Sequence, residues 1–259
     1  MESSIWDIMI EKVSVITIVK DHEKGLVATL ESLLAQKNIN WESVIVVSES
    51  VDKTQNIANC FKEQNRNVIV VNQISKGIYQ AMNEGIYAST GKYLVFMNAG
   101  DVFSNPESLS GMCNEIKNHK CGLIVGGYRV LGKDKIFSYS EKKLSSLRFA
   151  FNLKSGCHQA MIFSRVSVLK FRGYDSSFKL CADYRLVLQI LSMDGGRRVN
   201  TVFAAVEPGG ISDRSLTYVH SEKHDIRKEI LGKLIWLPSL IWKILILAKI
   251  KTKRSRIKF

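Results

Sequence analysis

Tyr93-Leu-Val-Phe-Met-Asn-Ala-Gly-Asp101 is the stretch that decides the fold, because an apolar run stops there in a turn that carries a carboxylate. Residues 93–97 are rich in aromatic and β-forming side chains without polar alternation, the pattern of a strand buried on both faces. Asn98, Ala99 and Gly100 break the run and leave Asp101 at a strand's carboxyl end. In an open α/β sheet ligands bind at that edge, so this carboxylate can hold a divalent cation against phosphate oxygens. The same residue type also caps turns, and nine residues do not separate the two roles.

Upstream, the β-branched run at 13–19 predicts a first buried strand, with Lys20, Asp21 and His22 in the loop at its carboxyl end. Leu26, Leu30, Leu33 and Leu34 recur at helical spacing, predicting a helix over 24–36. A strand at 44–47 leads into the loop Ser48-Glu49-Ser50-Val51-Asp52, where Asp52 is suited to cap a helix near Lys53 that buries Ile57, Ala58 and Phe61. A strand at 68–71 and a helix at 77–88 follow. Strand and helix thus alternate at intervals that require crossovers, which predicts an α/β chain with a mainly parallel, doubly wound sheet.

Downstream, the pattern predicts a helix over 106–118, with Pro106 in its first turn, and a hairpin of strands 123–130 and 136–139. A short helix at 144–149, a strand at 159–163 and a helix at 164–171 come next. Asp183 opens a helix whose Leu186, Val187, Ile190 and Leu191 form a core-facing stripe. A last strand at 198–206 ends in Pro208-Gly209-Gly210.

The 259 residues suffice for one large α/β domain with an appendage, and 46% hydrophobic content suits a globular core. Cys60, Cys113, Cys121, Cys157 and Cys181 are odd in number and form no C-x-x-C pair, so neither a disulfide framework nor a zinc knuckle is indicated and a reducing cytoplasm is expected. The first eleven residues lack a basic start and make a poor signal peptide. The net charge of +13 would fit nucleic acid if it lay along one face. Residues 230–259, however, carry eight basic residues and no acid, so nucleic acid is not an expected partner. The first strand is not followed by G-x-G-x-x-G, which argues against a dinucleotide-dependent oxidoreductase.

The ordered series of short motifs over residues 13–212 resembles the family 2 glycosyltransferases. It comprises Val-Ser-Val-Ile-Thr at 13–17, Leu-Glu-Ser-Leu-Leu-Ala-Gln at 30–36, Lys-Gly-Ile-Tyr-Gln-Ala-Met-Asn-Glu-Gly-Ile at 76–86 and the Thr-Gly-Lys extension of the opening stretch. Cys157-His158-Gln159-Ala160, Gly173-Tyr174-Asp175, Ala182-Asp183-Tyr184 and Gly209-Gly210-Ile211-Ser212 follow in the family's order, with the nearest likeness to colanic-acid-type exopolysaccharide transferases. The resemblance implies a GT-A fold, Rossmann-like, with helices on both faces of its sheet. Residues 12–103 would form the nucleotide half and 104–215 the acceptor half. It also implies an inverting transfer from a nucleotide-diphosphate sugar to an acceptor hydroxyl, in bacterial surface polysaccharide biosynthesis.

By the same resemblance, Asp101 matches the last carboxylate of the family's D-x-D position and would hold Mn²⁺ or Mg²⁺, with Asn98 beside it. Asp183 matches the general base that takes the acceptor proton, though its position also suits a helix cap. Asp21, Glu49, Lys76 and Asn98 fall at the donor, and His158 and Gln159 at the acceptor or diphosphate. The chain departs from the family in the loop after the second strand, where Ser48 replaces the usual Asp and Glu49 stands one position along. Ser75 and Gln80 also occupy positions where relatives carry acids. These losses bear on the donor nucleotide, and they keep open a degenerate transferase acting as an assembly partner.

Residues 234–250 are apolar but interrupted by Pro238, Lys243 and Lys249, short of the roughly 20 residues a span needs. Trp236 and Trp242 with the basic cluster behind them predict an interfacial helix on an anionic membrane surface. The expected tail is 216–259, placing the protein peripherally on the inner face of the cell membrane with a lipid-linked saccharide acceptor. Packing of the tail on its own domain, or on a second copy in a homo-oligomer, is the alternative.

Overall fold

The computed structural model describes residues 11–151, 156–209 and 216–232, together with 241. Every residue of β1 (Val13–Val19) except Ser14 is β-branched, and six of the seven are buried. Such side chains fill a pleated surface well on either face. The chain then runs α1 (Glu23–Leu34), β2 (Trp41–Val47), α2 (Thr54–Gln64), β3 (Val68–Asn72), α3 (Ile78–Ala88) and β4 (Tyr93–Phe96). All pairings among these strands are parallel, with Val13 opposite Trp41 and Val15 opposite Val95, giving the order β3-β2-β1-β4.

The second half comprises β5 (Val102–Phe103), α4 (Ser108–His119), β6 (Leu123–Val130), β7 (Ile136–Phe137), β8 (Lys142–Leu144), α5 (Ser146–Ala150), a 3₁₀ turn (His158–Ala160), β9 (Met161–Ser164), α6 (Arg165–Lys170), α7 (Ala182–Met193), β10 (Gly196–Val206) and α8 (Leu216–Leu231). β9 lies between β4 and β6 and is antiparallel to both, with Leu94 opposite Phe163 and Ile124 opposite Ile162. β10 returns parallel to β6. The parallel character expected of the sheet therefore belongs to its first half and to the β6–β10 pair, and the whole is mixed. Alternation of apolar residues sets which face a side chain takes but not a strand's direction, so Met161–Ser164 could be recognised as a strand without its polarity.

Alternation along each strand divides the core. Ile16, Val44, Val46, Leu94, Phe96, Leu123 and Phe163 meet the buried residues of α3 and α7 on one face. Val13, Val15, Tyr93, Val95, Ile124 and Ile162 meet α4 on the other, where Val19, Ile45 and Val47 also cover α1 and α2. Helices thus flank both faces, as in the GT-A architecture.

Some boundaries moved. Pro106 precedes α4, which starts at Ser108, and a 3₁₀ turn occupies the beginning of the strand expected from 159. Lys53, not Asp52, holds the cap position of α2; the Asp52 carboxylate, one residue earlier, accepts from the backbone N–H groups of both Thr54 and Glu23 and so ties α1 to the start of α2. Residues 216–231, expected to begin the tail, form α8, whose Val219 and Ile226 are buried in the core beside α7. The remainder of the expected tail, including Trp236, Trp242 and the basic cluster, lies outside the described residues. Among the described residues no helix is long and apolar enough to cross a membrane.

Candidate active site

The carboxyl ends of the strands open onto a cavity of about 1200 Å³. One wall comes from β1, β2 and β3, through Ile18, Lys20, Ser48, Glu49, Gln73 and Lys76. Asn98 and Ala99, from the end of β4, lie in its middle with His158 and Gln159. The far wall carries Tyr128 and Phe137 of the β6–β7 hairpin and Glu207 beyond β10, while Asp183 enters from the start of α7. Glu49, Lys76, Asn98, His158, Gln159 and Asp183, which the sequence separates by up to 134 residues, thus share one cavity. Asp21 does not join them. Its backbone has φ +47°, and its carboxylate accepts from Val51 N at 2.7 Å, so it braces the loop after β2 instead of lining the wall.

Asp101 lies behind the wall. It is 4% exposed, and both carboxylate oxygens are engaged: Oδ2 accepts from Gln159 Nε2 at 2.7 Å and Oδ1 from Glu207 N at 2.8 Å. Burial raises its pKa to about 6 against these two bonds, with the Glu207 carboxylate adding to the rise. A carboxylate next to a second acid and short of solvent gains from a cation. The neighbouring Asn98 Oδ1 is buried without a hydrogen-bond partner among the described residues. Among the described residues no three His, Cys, Asp or Glu side chains converge as a metal site. The oxygens present therefore fit Mg²⁺ or Mn²⁺ only in the manner usual for nucleotide sites, with one or two protein ligands and the rest from phosphate and water.

Asp183 is the second residue of α7, after Cys181 at the cap position, so it does not serve as the helix cap. Its side chain is 36% exposed to the cavity side, and Oδ1 accepts from the Tyr79 hydroxyl at 3.3 Å. Tyr79 stands in the first turn of α3 and is stacked on Tyr174, ring centroids 5.6 Å apart, which itself meets Phe96 edge-on. Burial, with the Asp183 charge nearby, pushes the Tyr79 phenol far above its ordinary range, so it remains a donor. His158 Nδ1 lies 3.9 Å from Asp183 Oδ2, too far for a hydrogen bond, and its Nε2 lies 3.4 Å from Asn98 Nδ2. Burial lowers the His158 pKa although Asp183 opposes the shift, so the imidazole is neutral at neutral pH.

Two residues beside the candidate site, Tyr79 and Glu207, were not singled out from sequence. Tyr79 sat inside the motif at 76–86 with no role of its own. Glu207 follows the last strand; its carboxylate meets His22 Nε2 at 3.0 Å, and its backbone N–H holds Asp101. Position at a strand's carboxyl end was the available signal for Glu207. Gly100 permits their approach: its φ is +98°, and a Cβ there would stand 2.5 Å from the Glu207 carboxyl and 2.9 Å from His22 Nε2.

Comparison with known proteins agrees with this fold. The chain is 28% identical over 192 residues to a PGL/p-HBAD biosynthesis glycosyltransferase of Mycobacterium bovis, covering 73% of this chain and 74% of that one. Its fold matches S. aureus TarS 1-349 in complex with UDP-GlcNAc, with TM-score 0.67, 15% identity and coverage of 88% of this chain and 69% of that one. The mannosyltransferase PcManGT from Pyrobaculum calidifontis, in complex with GDP-Man and Mn²⁺, matches with TM-score 0.65 and 14% identity over 90% of this chain and 69% of that one. At such identities the structural likeness is one of fold. The glycosyl transferase family 2 model matches residues 14–174, most of the sheet and the cavity's central residues, and the chain belongs to that family.

Proposed function

We propose that the protein transfers a sugar from a nucleotide-diphosphate donor to a saccharide hydroxyl with inversion, Asp183 acting as general base. The observation that carries this reading is the meeting of Asp183 with Asn98, His158 and Gln159 in one cavity at the carboxyl edge of the sheet, the edge at which α/β sheets bind nucleotides. The β1–β3 wall, with Glu49 and Lys76, takes the nucleotide. Asp183 removes the acceptor proton while the Tyr79 hydroxyl fixes one of its oxygens, leaving the other for the incoming hydroxyl. Neutral His158 adds no positive charge that would weaken that base. Asp101, with Asn98 Oδ1, would hold Mg²⁺ or Mn²⁺. The cation supplies compensation for the charge that grows on the departing diphosphate. The acceptor is a lipid-linked saccharide in surface polysaccharide synthesis, reached at the inner membrane face by the basic, tryptophan-bearing tail.

Substituting Asp183→Asn should lower kcat about 10²–10⁴-fold and leave donor binding intact, whereas Asp101→Ala should weaken metal-dependent donor binding. Transfer at the parent rate by both variants would refute the assignment. Failure of the parent to bind any nucleotide sugar in the presence of Mn²⁺ would favour a non-catalytic assembly role. Removing residues 233–259 should release the protein from anionic vesicles, and retention would refute the anchoring role.

A further inference from the structure

The far wall of the cavity has a chemistry that sugar transfer alone does not require. Lys133 and Lys135 of the β6–β7 turn line it, next to Tyr128 and Phe137. The two rings stack at 4.5 Å with an interplanar angle of 16°, and Lys135 Nζ lies 4.6 Å from the Phe137 ring centroid. Both lysines are exposed, and neither forms an ion pair among the described residues. Asp134, between them in sequence, is not part of the lining. Across the cavity, Lys20 and Lys76 belong to the nucleotide wall, the strand order β3-β2-β1-β4-β9-β6-β10 placing the hairpin on the opposite side of Asn98 and His158. One donor diphosphate does not account for cations on both walls.

Resting on the transferase reading, the geometry points to a second anion site, in which Lys133 and Lys135 bind a phosphate or diphosphate of the acceptor. The Tyr128–Phe137 pair gives the neighbouring sugar or alkyl portion an apolar surface. An ammonium is a compact charge with three donors and suits phosphate oxygens. The adjacent ring faces are negative and keep Lys135 in place over the hairpin. Lining the cavity and lacking an acid partner, the lysines are poised for an anion brought in by the ligand. The anionic group can come from a lipid diphosphate or from a soluble sugar phosphate.

The test is titration calorimetry of the full chain with decyl diphosphate, inorganic diphosphate and decyl glucoside, each in saturating UDP so that the donor wall is already filled. Lys133→Ala/Lys135→Ala should weaken decyl diphosphate about tenfold or more, a loss of about 1.4 kcal/mol or more, and leave UDP binding and decyl glucoside unchanged. A control pair, Lys142→Ala/Lys143→Ala, removes the same charge from exposed β8 positions outside the cavity and should bind as the parent does. Tighter binding of decyl diphosphate than of inorganic diphosphate assigns the site to a lipid-linked acceptor, and equal binding to a free phosphate; both support an anion site. Equal weakening by the control pair, unchanged binding in the hairpin variant, or no diphosphate binding by the UDP-loaded parent would overturn it. Where the parent binds GDP or another nucleoside diphosphate in place of UDP, that nucleotide fills the donor wall in the same titrations; failure to bind any nucleoside diphosphate would instead overturn the transferase reading, and this inference with it.

Discussion

Gln159 donates its side-chain amide to Asp101 Oδ2 at 2.7 Å, joining a residue of the cavity wall to a carboxylate buried behind it. Burial, opposed by this bond and by the Glu207 N–H, leaves the Asp101 pKa at about 6. The carboxylate is charged above that value, so metal-dependent donor binding should weaken as pH falls through about 6. Gln159→Leu removes one bond to the charged form, and the acidic limb should move upward by about one pH unit. A limb that stays in place would separate Asp101 from donor binding.

Tyr79 holds Asp183 by a single hydroxyl, so Tyr79→Phe should keep the ring stack and lose only the 3.3 Å bond. The expected loss is about three- to tenfold in kcat, the worth of one modest hydrogen bond, with donor KM unchanged. A fall in thermal stability without a kinetic effect would assign Tyr79 to packing alone.

Gly100→Ala should cost about 1–2 kcal/mol, because φ of +98° is strained for any residue with a Cβ. The Glu207 side chain can swing from the added methyl, but its backbone N–H is then less securely held against Asp101. Denaturant unfolding measures the first effect. A weakened metal response in the folded variant measures the second.

Glu222, on α8, accepts from Lys179 N at 2.8 Å and Leu180 N at 3.0 Å, and so fixes the loop that leads into Asp183. Glu222→Ala leaves two N–H groups without that partner and should destabilise by about 1–3 kcal/mol. Its kinetic signature should be a raised acceptor KM with donor KM unaltered, partly restored in Glu222→Gln, which retains one acceptor oxygen. Equal changes in both KM values would argue against a role specific to this loop.

Glu42 supplies a stability test away from the cavity. Burial disfavours its charge, yet Lys12, the Ser14 hydroxyl and Thr90 outweigh that penalty and bring its pKa from 4.5 to about 2. Because the folded value is depressed, its stabilisation is fully present above pH 4.5 and is lost as pH falls through about 2. Glu42→Gln should lose about 3 kcal/mol at neutral pH. The gap from the parent should narrow progressively below pH about 4.5 in urea titrations.

Much of the fold was legible because burial is written into local periodicity. The β-branched run of β1, the leucine spacing of α1 and the apolar stop before Asp101 each fix an element type from neighbouring residues alone. They also fixed the parallel half of the sheet, since strands separated by a helix must cross over. Ordered motifs singled out Asp101 and Asp183 as candidates. Only tertiary structure decided what each carboxylate touches. Asp21 turned away to hold the Val51 amide, Asp101 retreated behind Gln159, and Asp183 met a tyrosine 104 residues earlier in the chain. The direction of β9 and the approach of Glu207 to Gly100 were equally hidden. These relations arise where strand ends from distant parts of the chain converge, and no periodicity within one segment encodes a partner brought in by another.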